Sequence, residues 1–229
     1  MDILYEDNHI LAINKACGEV VHVDQSGDES LVDKAKAYLK EKYSKPGNVF
    51  LGLPHRLDRP TSGVIILART GKVLPRLNKL FKNKEAVKRI YWAIVDHPPV
   101  PAEGFLEHYI TRSKEVNKSY AHTREVADSK YAALSYRTLA HSDRYTLLEI
   151  ELHTGRHHQI RAQLFRIGCH IKGDLKYGFP RSNPDGGIHL HARQVAFIHP
   201  VKNELLSITA PPPNEPLWNT FLKILGESA

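Results

Sequence analysis

The stretch HRLDRPTSG, residues 55–63, stands between two apolar runs and holds one acid between two arginines. The flanking runs, VFLGL at 49–53 and GVIILA at 63–68, have the length of buried strands. A loop held by two strands is a rigid place for a reactive side chain. Neighbouring arginines lower the pKa of a carboxyl group, so Asp58 is expected to be ionised and able to act as a nucleophile or general base. The open alternative is a structural ion pair that pins the loop.

The stretch TGRHHQIR, residues 154–161, opens an amphipathic pattern. The apolar spacing predicts a helix from about 156 to 167, capped by Thr154 and ended by a left-handed Gly168. A free helix N-terminus binds anions through its unpaired N–H groups, and Arg156 at that end would clamp a phosphate. This end of the helix is therefore a candidate phosphate site.

Two side chains of this predicted helix share a face. His157 and Arg161 are four residues apart, so Arg161 could reach a carboxylate supplied by another loop. Packing of the histidines, or a metal site, are the alternatives. Zinc is disfavoured because His153 and His157 straddle the helix start and no HExxH motif is present.

The rest of the chain alternates strand and helix patterns without a repeat. Strands outnumber helices and short turns join most of them, which predicts an α+β fold with a largely antiparallel sheet. Ser30 and Thr70 are predicted to cap the first two helices. Strands are predicted at 9–14, 90–95, 132–139 and 145–152, and helices at 30–43, 70–82 and 217–225.

Positive charge dominates the composition. The net charge is +7, the isoelectric point is near 9.3, and 41% of the residues are hydrophobic, which excludes a disordered or collagen-like chain. Between residues 69 and 89, Glu85 is the lone acid among eight basic residues: Arg69, Lys72, Arg76, Lys79, Lys82, Lys84, Lys88 and Arg89. A polyanion would bind such a segment, and a solvated helix face is the alternative.

Several classes of protein are disfavoured by what the sequence lacks. It has no apolar run long enough for a membrane span, and its first residues carry acids where a signal peptide needs bases. We therefore expect a cytoplasmic protein, with Cys17 and Cys169 as free thiols. No P-loop, dinucleotide fingerprint or GxSxG motif is present, which argues against an ATPase, a dehydrogenase or an α/β-hydrolase.

These motifs resemble those of the RluA-type pseudouridine synthases. The stretch at 55–63 resembles the family signature HRLDxxTSG, and residues 154–164 resemble its TGRxHQIRxHL helix. The segments GDLKYG at 173–178 and LHA at 190–192 resemble two further family motifs, and YED, NK and VH near the start resemble its opening. Ala16 and Gln163 depart from the family pattern at positions without a catalytic role.

The resemblance implies the isomerisation of uridine to pseudouridine within RNA, without a cofactor or a metal. Asp58 would be the catalytic carboxylate, and Arg161 would pair with it. Tyr91 would stack on the uracil, and its hydroxyl would transfer a proton. The alternative is that Tyr91, as one of two adjacent aromatics in a strand, serves only in packing. Whether Asp58 attacks the sugar or the base, or acts through a glycal intermediate, stays open.

The resemblance also implies how RNA is held. The target base would flip out of its stack, and Arg56 would fill the gap. The RNA-binding residues expected with it are Arg156, His157, Arg76 and Lys79. The target stays open between ribosomal and transfer RNA.

The implied fold is a central, mostly antiparallel mixed sheet flanked by helices and loops around a catalytic cleft. We expect residues 1–229 to be one catalytic domain without the S4-type RNA-binding domain of many members, and a monomer. Two other functions remain as alternatives. One is a non-catalytic RNA-binding or ribosome-assembly factor on the same scaffold, and the other is a metal-dependent RNA hydrolase, for which no carboxylate cluster is present.

Overall fold

The computed structural model describes residues 1–22, 27–83 and 85–227, over which the chain forms one mixed ten-stranded sheet. Lys84 of the basic segment lies outside the described residues. The strands are β1 (Asp2–Glu6), β2 (Ile10–Lys15), β3 (Ser62–Ala68), β4 (Val87–Val95), β5 (Glu103–Ser113), β6 (Lys118–His122), β7 (Lys130–His141), β8 (Thr146–Leu152), β9 (Leu190–Ile198) and β10 (Leu205–Thr209).

The strand order is β1-β2-β3-β9-β4-β8-β7-β5-β6, and β10 pairs with β9. Only β3 and β9 run parallel among these pairs, through the short contact of Ser62 and Gly63 with His191 and Ala192. All other pairs are antiparallel. The predicted α+β class, with a mostly antiparallel mixed sheet, is confirmed.

In the described part of the chain, four helices cover the sheet: α1 (Leu31–Lys42), α2 (Leu74–Lys82), α3 (Gln159–Arg166) and α4 (Pro216–Leu225). The first two lie over β2 and β3, where Leu39 and Leu77 are fully buried. Helix α3 lies against β5 and β6 and buries Leu164 in the core, and α4 lies against β7 and buries Trp218 and Phe221 in a cluster with residues of β4. Among the described helices, none has the length and apolar content needed to cross a membrane.

Two helix ends follow the sequence prediction closely. The side chain of Ser30 accepts a hydrogen bond from the backbone N–H of Asp33 and caps α1. At the C-terminal end of α3, Gly168 adopts φ +78° and its backbone N–H donates to the carbonyl of Phe165. The backbone N–H of Cys169 donates to the carbonyl of Leu164. These two bonds satisfy carbonyls that the end of α3 leaves without a partner.

The run at 49–53 is not a strand, contrary to prediction. Only Gly52 pairs with β3, through an isolated bridge to Ala68. The edges of β3 are already taken by β2 along its length and by β9 at its start. Leu74 also fills the space beside Gly52, where a Cβ atom would lie 2.6 Å from its side chain.

Thr154 does not cap α3, contrary to prediction, and Thr70 caps only the turn that leads into α2. Thr70 caps a preceding turn through Val73, and α2 itself begins only at Leu74 with Pro75 in its first turn. Thr154 instead donates to the side chain of Gln159 and accepts from the backbone of Ala133. Helix α3 therefore starts at Gln159, three residues later than expected.

Candidate active site

The two sequence motifs meet across a cleft of about 530 Å³. Asp58 is the only carboxylate among the described residues that line this cleft. The described cationic side chains that line it with Asp58 are Arg56, Lys82, Arg89, Arg112, Arg156 and Arg161. A cleft lined by one sign of charge attracts a polyanion, and it surrounds its single acid with cations.

A buried lysine fixes the backbone of the loop that carries Asp58. The ammonium group of Lys15, on β2, is fully buried and donates to the carbonyl oxygens of Ala16 (2.9 Å), Arg59 (3.0 Å) and Thr61 (2.7 Å). Burial lowers the pKa of Lys15 to about 8. Thr61 also donates its backbone N–H to the carbonyl of Asp58 at 3.0 Å, so the loop closes on itself.

The arginines next to Asp58 in sequence do not pair with it. Arg59 turns away and forms an ion pair of 2.7 Å with Asp28, and it donates to the carbonyl of Gly18. Within salt-bridge range, the guanidinium that faces Asp58 is that of Arg161, with its Nη1 3.6 Å from Oδ2 of Asp58. Neighbours in sequence therefore miss the carboxylate, and a distant residue reaches it.

Arg161 is fixed by a second carboxylate. Its Nε and Nη2 donate to the two carboxylate oxygens of Asp174 at 2.6 and 2.7 Å, and both side chains are buried. Burial lowers the pKa of Arg161, but its hydrogen bonds to Asp174 and the negative charges of Asp174 and Asp58 together outweigh this effect and leave the pKa raised. The two-pronged contact aligns the guanidinium plane and leaves Nη1 for Asp58.

His158 is the other side chain close to Asp58, at 3.5 Å from Nε2 to Oδ2. Its backbone is left-handed, with φ 51°, and it terminates the loop before α3. Burial and then Arg161 hold its pKa well below the usual range, so the ring is neutral. Its Nδ1 lies 3.1 Å from the hydroxyl oxygen of Tyr177, whose own proton is donated to the carbonyl of Ser119 at 3.0 Å.

Asp174 and Tyr177 both come from the GDLKYG segment, which forms a short 3-10 turn at Leu175–Tyr177. The ring of Tyr177 lies under the guanidinium of Arg161, 4.9 Å from its central carbon. The sequence motifs mark this segment but predict no role for Asp174, Tyr177 or His158. Its acid and its tyrosine were the available signal, but nothing in their spacing points to Arg161.

Tyr91 lies in the middle of β4 and lines the same cleft. Burial raises its pKa to about 12, against an opposing effect of Arg89, so the phenol is protonated near neutral pH. Arg89 donates to the carbonyl of Leu152 at 3.1 Å and also lines the cleft. The strand thus presents a protonated hydroxyl and a cation to the space in front of Asp58.

The loop before α3 places the next two predicted residues. The Nε of Arg156 donates to the carbonyl of Tyr131, and Nδ1 of His157 lies 2.9 Å from the hydroxyl of Ser119. The ring of His157 stacks on His158 with centroids 3.8 Å apart. Both residues line the cleft, although they precede the helix that was expected to hold them.

Arg76 and Lys79 are not brought to the cleft. Both lie on α2, where Arg76 donates to the carbonyl of Pro200. The basic segment instead contributes Lys82 and Arg89 to the cleft. Asp58, Tyr91, Arg161, Arg56, Arg156 and His157 are thus gathered in one place, and the two helix residues are not.

Comparison with known proteins points to one family. A family model described as RNA pseudouridylate synthase matches residues 9–165. An uncharacterised RNA pseudouridine synthase of Synechocystis is 33% identical over 93% of this chain and 66% of its own length. The ribosomal large subunit pseudouridine synthase D of Zymomonas mobilis is 31% identical over 94% of this chain and 70% of its own length.

A solved structure agrees with this. The human RNA pseudouridylate synthase domain containing 4 superposes with a TM-score of 0.79 at 27% identity, over 100% of this chain and 94% of its own. The present chain spans about two thirds of the length of the curated relatives that it matches.

Proposed function

This chain belongs to the RNA pseudouridylate synthase family, and on that basis we propose that it converts specific uridines of structured RNA to pseudouridine. The isomerisation breaks the bond between N1 of uracil and C1′ of the ribose and forms a bond between C5 and C1′. The proton leaves C5 and N1 gains one, so no electrons are exchanged with a cofactor. The name of the Zymomonas relative supports ribosomal RNA as the substrate, with transfer RNA as the other candidate.

The observation that carries this proposal is the isolation of Asp58. It is the single acid among the described lining residues of a cationic cleft, and Arg161 and His158 both approach its Oδ2. A carboxylate placed in this way can attack carbon or remove a proton. We propose that Asp58 carries out the essential step and that Arg161 orients the carboxylate of Asp58.

Tyr91 is assigned to the uracil. Its ring can stack on the base, because aromatic side chains hold unpaired bases by their faces. Its hydroxyl, protonated near neutral pH because burial raises the pKa of Tyr91 to about 12, can donate a proton to the base or return one.

Access to the cleft requires that the uridine leave its stack. Flipping a nucleotide costs a few kcal/mol, least where the RNA is already unpaired. Arg56 lines the cleft with Asp58, and we propose that its side chain fills the gap that the flipped base leaves in the RNA stack. Arg112, Arg156 and His157 are assigned to the RNA around the target.

The test is incubation of the purified chain with transcribed ribosomal and transfer RNA, followed by mapping of pseudouridine at each site. We expect conversion at defined uridines without an added cofactor. Binding of RNA without any conversion, together with an unchanged pseudouridine map in a deletion strain, would instead identify a non-catalytic RNA-binding or assembly factor.

We also propose that residues 1–229 act as one catalytic domain and as a monomer. The continuous sheet supports the first point, because strands from both ends of the chain share it through β1, β2 and β9. Sedimentation of the purified chain with and without RNA tests the second.

A further inference from the structure

Away from the cleft, three potential metal ligands converge at the end of β4. Asp96 and His97 follow that strand directly, and His170 follows α3. Nδ1 of His97 lies 3.0 Å from Oδ1 of Asp96, and Nδ1 of His170 lies 2.9 Å from Oδ2. None of the three residues is among those that line the cleft.

The arrangement has the dimensions of a coordination sphere. One ligand atom from each residue lies within 4.8 Å of the other two. Zinc binds imidazole nitrogen and carboxylate oxygen at about 2.0–2.2 Å, so tetrahedral ligands are about 3.4 Å apart. The two imidazole rings are nearly perpendicular, with centroids 6.4 Å apart, so both can direct Nδ1 towards one point without stacking.

The cluster is also braced and accessible. The backbone N–H of His170 donates to Asp96 at 2.8 Å, the backbone of Asp96 donates back to His170, and Val95 and Ile171 form a bridge next to them. His97 is 71% exposed, so an ion can enter from solvent without opening the fold. The fold thus holds two segments that are far apart in sequence next to each other, and the exposed side chain of His97 can adjust its position to the ion.

We propose that Asp96, His97 and His170 form a site for a divalent transition metal of the zinc class, with water as the fourth ligand. Two imidazoles and one carboxylate suit Zn²⁺, whereas Mg²⁺ and Ca²⁺ require more oxygen ligands than the cluster offers. In the metal-free chain the short N···O contacts are hydrogen bonds from Nδ1–H to Asp96; when the ion binds, each neutral ring carries its proton on Nε2 instead and coordinates through Nδ1.

A bound ion would tie the end of β4 to the segment that leads to Asp174, and so brace the support of Arg161 from outside the cleft. It takes no part in the isomerisation. The site therefore goes beyond the proposed function, and either can fail without the other.

The test is calorimetric titration of the full, tag-free chain with ZnCl2 in a non-chelating buffer, with MgCl2 and CaCl2 as separate arms. We expect one zinc site per chain and no heat from the other two ions. His97→Ala and His170→Ala should each weaken zinc binding about tenfold or more. His141→Ala removes an exposed histidine elsewhere and serves as the matched control.

Titration with Co²⁺ gives an independent readout, since four-coordinate cobalt absorbs visibly and the His97→Ala variant should lose those bands. If His170→Ala does not fold, His97→Ala still decides the question because its side chain is largely exposed. No zinc binding by the wild-type chain, equal binding by His97→Ala, or an equal loss in His141→Ala would each overturn the proposal.

Discussion

Nη1 of Arg161 lies 3.6 Å from Oδ2 of Asp58, although the two residues come from motifs that are about a hundred residues apart in sequence. The same guanidinium uses its other two nitrogens on Asp174. One arginine therefore joins the candidate catalytic loop to the turn at Leu175–Tyr177. The position of Asp58 depends on a contact that is itself positioned by a buried ion pair.

Removing Asp174 should therefore affect both stability and activity. Asp174→Asn breaks a buried, two-pronged pair, and we expect the free energy of unfolding to fall by about 3–5 kcal/mol. At a temperature where the variant is folded, the rate should fall as well, because Arg161 is no longer aligned with Asp58.

The matched control for this variant is Glu149→Gln, which breaks an exposed pair with Arg137. Its cost should stay below about 1 kcal/mol. Urea unfolding and a pseudouridine assay measure the two effects. A stable Asp174→Asn variant with full activity would show that Arg161 needs no second carboxylate.

The hydroxyl of Tyr91 can be separated from its ring. Tyr91→Phe keeps the stacking surface, so KM for RNA should change little, while kcat should fall by about 10²–10⁴ if the hydroxyl transfers a proton. Tyr91→Ala should also raise KM, because base stacking contributes about 1–3 kcal/mol. Steady-state kinetics on one RNA compares the variants, and full activity of Tyr91→Phe would restrict Tyr91 to stacking.

Removing a cation that lines the cleft should change the salt dependence of RNA binding more than removing Arg76 on α2. Arg112 lines the cleft, whereas Arg76 bonds to the backbone of Pro200. Arg112→Ala should reduce the slope of log affinity against log salt by about 0.7–0.9, the contribution of one phosphate contact. Arg76→Ala should change that slope less, and RNA-binding titrations at several salt concentrations measure both. Equal effects would place α2 on the RNA, as the sequence first suggested.

The half-buried His55 and the buried His191 should make the fold sensitive to acid. Burial lowers the pKa of His55 to about 3 and that of His191 to about 4. Unfolded histidine titrates near pH 6.5, so below this pH the unfolded chain binds more protons than the folded one. The free energy of unfolding should fall as pH falls from about 6.5 towards 4, by up to about 1.4 kcal/mol per pH unit for each such histidine.

His55→Gln isolates one of these groups. The Nε2 of His55 accepts the backbone N–H of Ile66 at 2.9 Å, and the glutamine oxygen can take over that role without titrating. Urea unfolding from pH 4.5 to 7 should show a shallower pH dependence in the variant. An unchanged slope would mean that His55 is not a source of the acid sensitivity.

The sequence predicted the strands β2, β3, β4, β7 and β8, and it drew attention to Asp58 and Arg161, because local patterns mark them. Apolar runs marked β2, β3 and β8, and the two polar motifs marked Asp58 and Arg161. It could not predict how the residues around Asp58 are oriented. The direction of Arg59 depends on Asp28 and Gly18, which lie on another part of the chain.

The start of α3 shows the same limit. A threonine before an apolar pattern normally predicts a cap, but the hydroxyl of Thr154 forms its hydrogen bonds with Gln159 and Ala133 instead. His158 then takes a left-handed backbone, which β-carbon sterics disfavour and which only the surrounding contacts impose. The same turn brings its ring to Asp58, so the missed helix start and the missed site residue have one cause.

The most direct test of the central claim is the activity of Asp58→Asn on a mapped target uridine, measured together with RNA affinity. We predict a loss of pseudouridine formation of at least about 10³-fold, as for removal of a covalent or general-base group, with affinity within about threefold of wild type. Asp143→Asn, at an exposed acid outside the cleft, should behave as wild type. Full activity of Asp58→Asn would contradict the assignment of this carboxylate as the essential group.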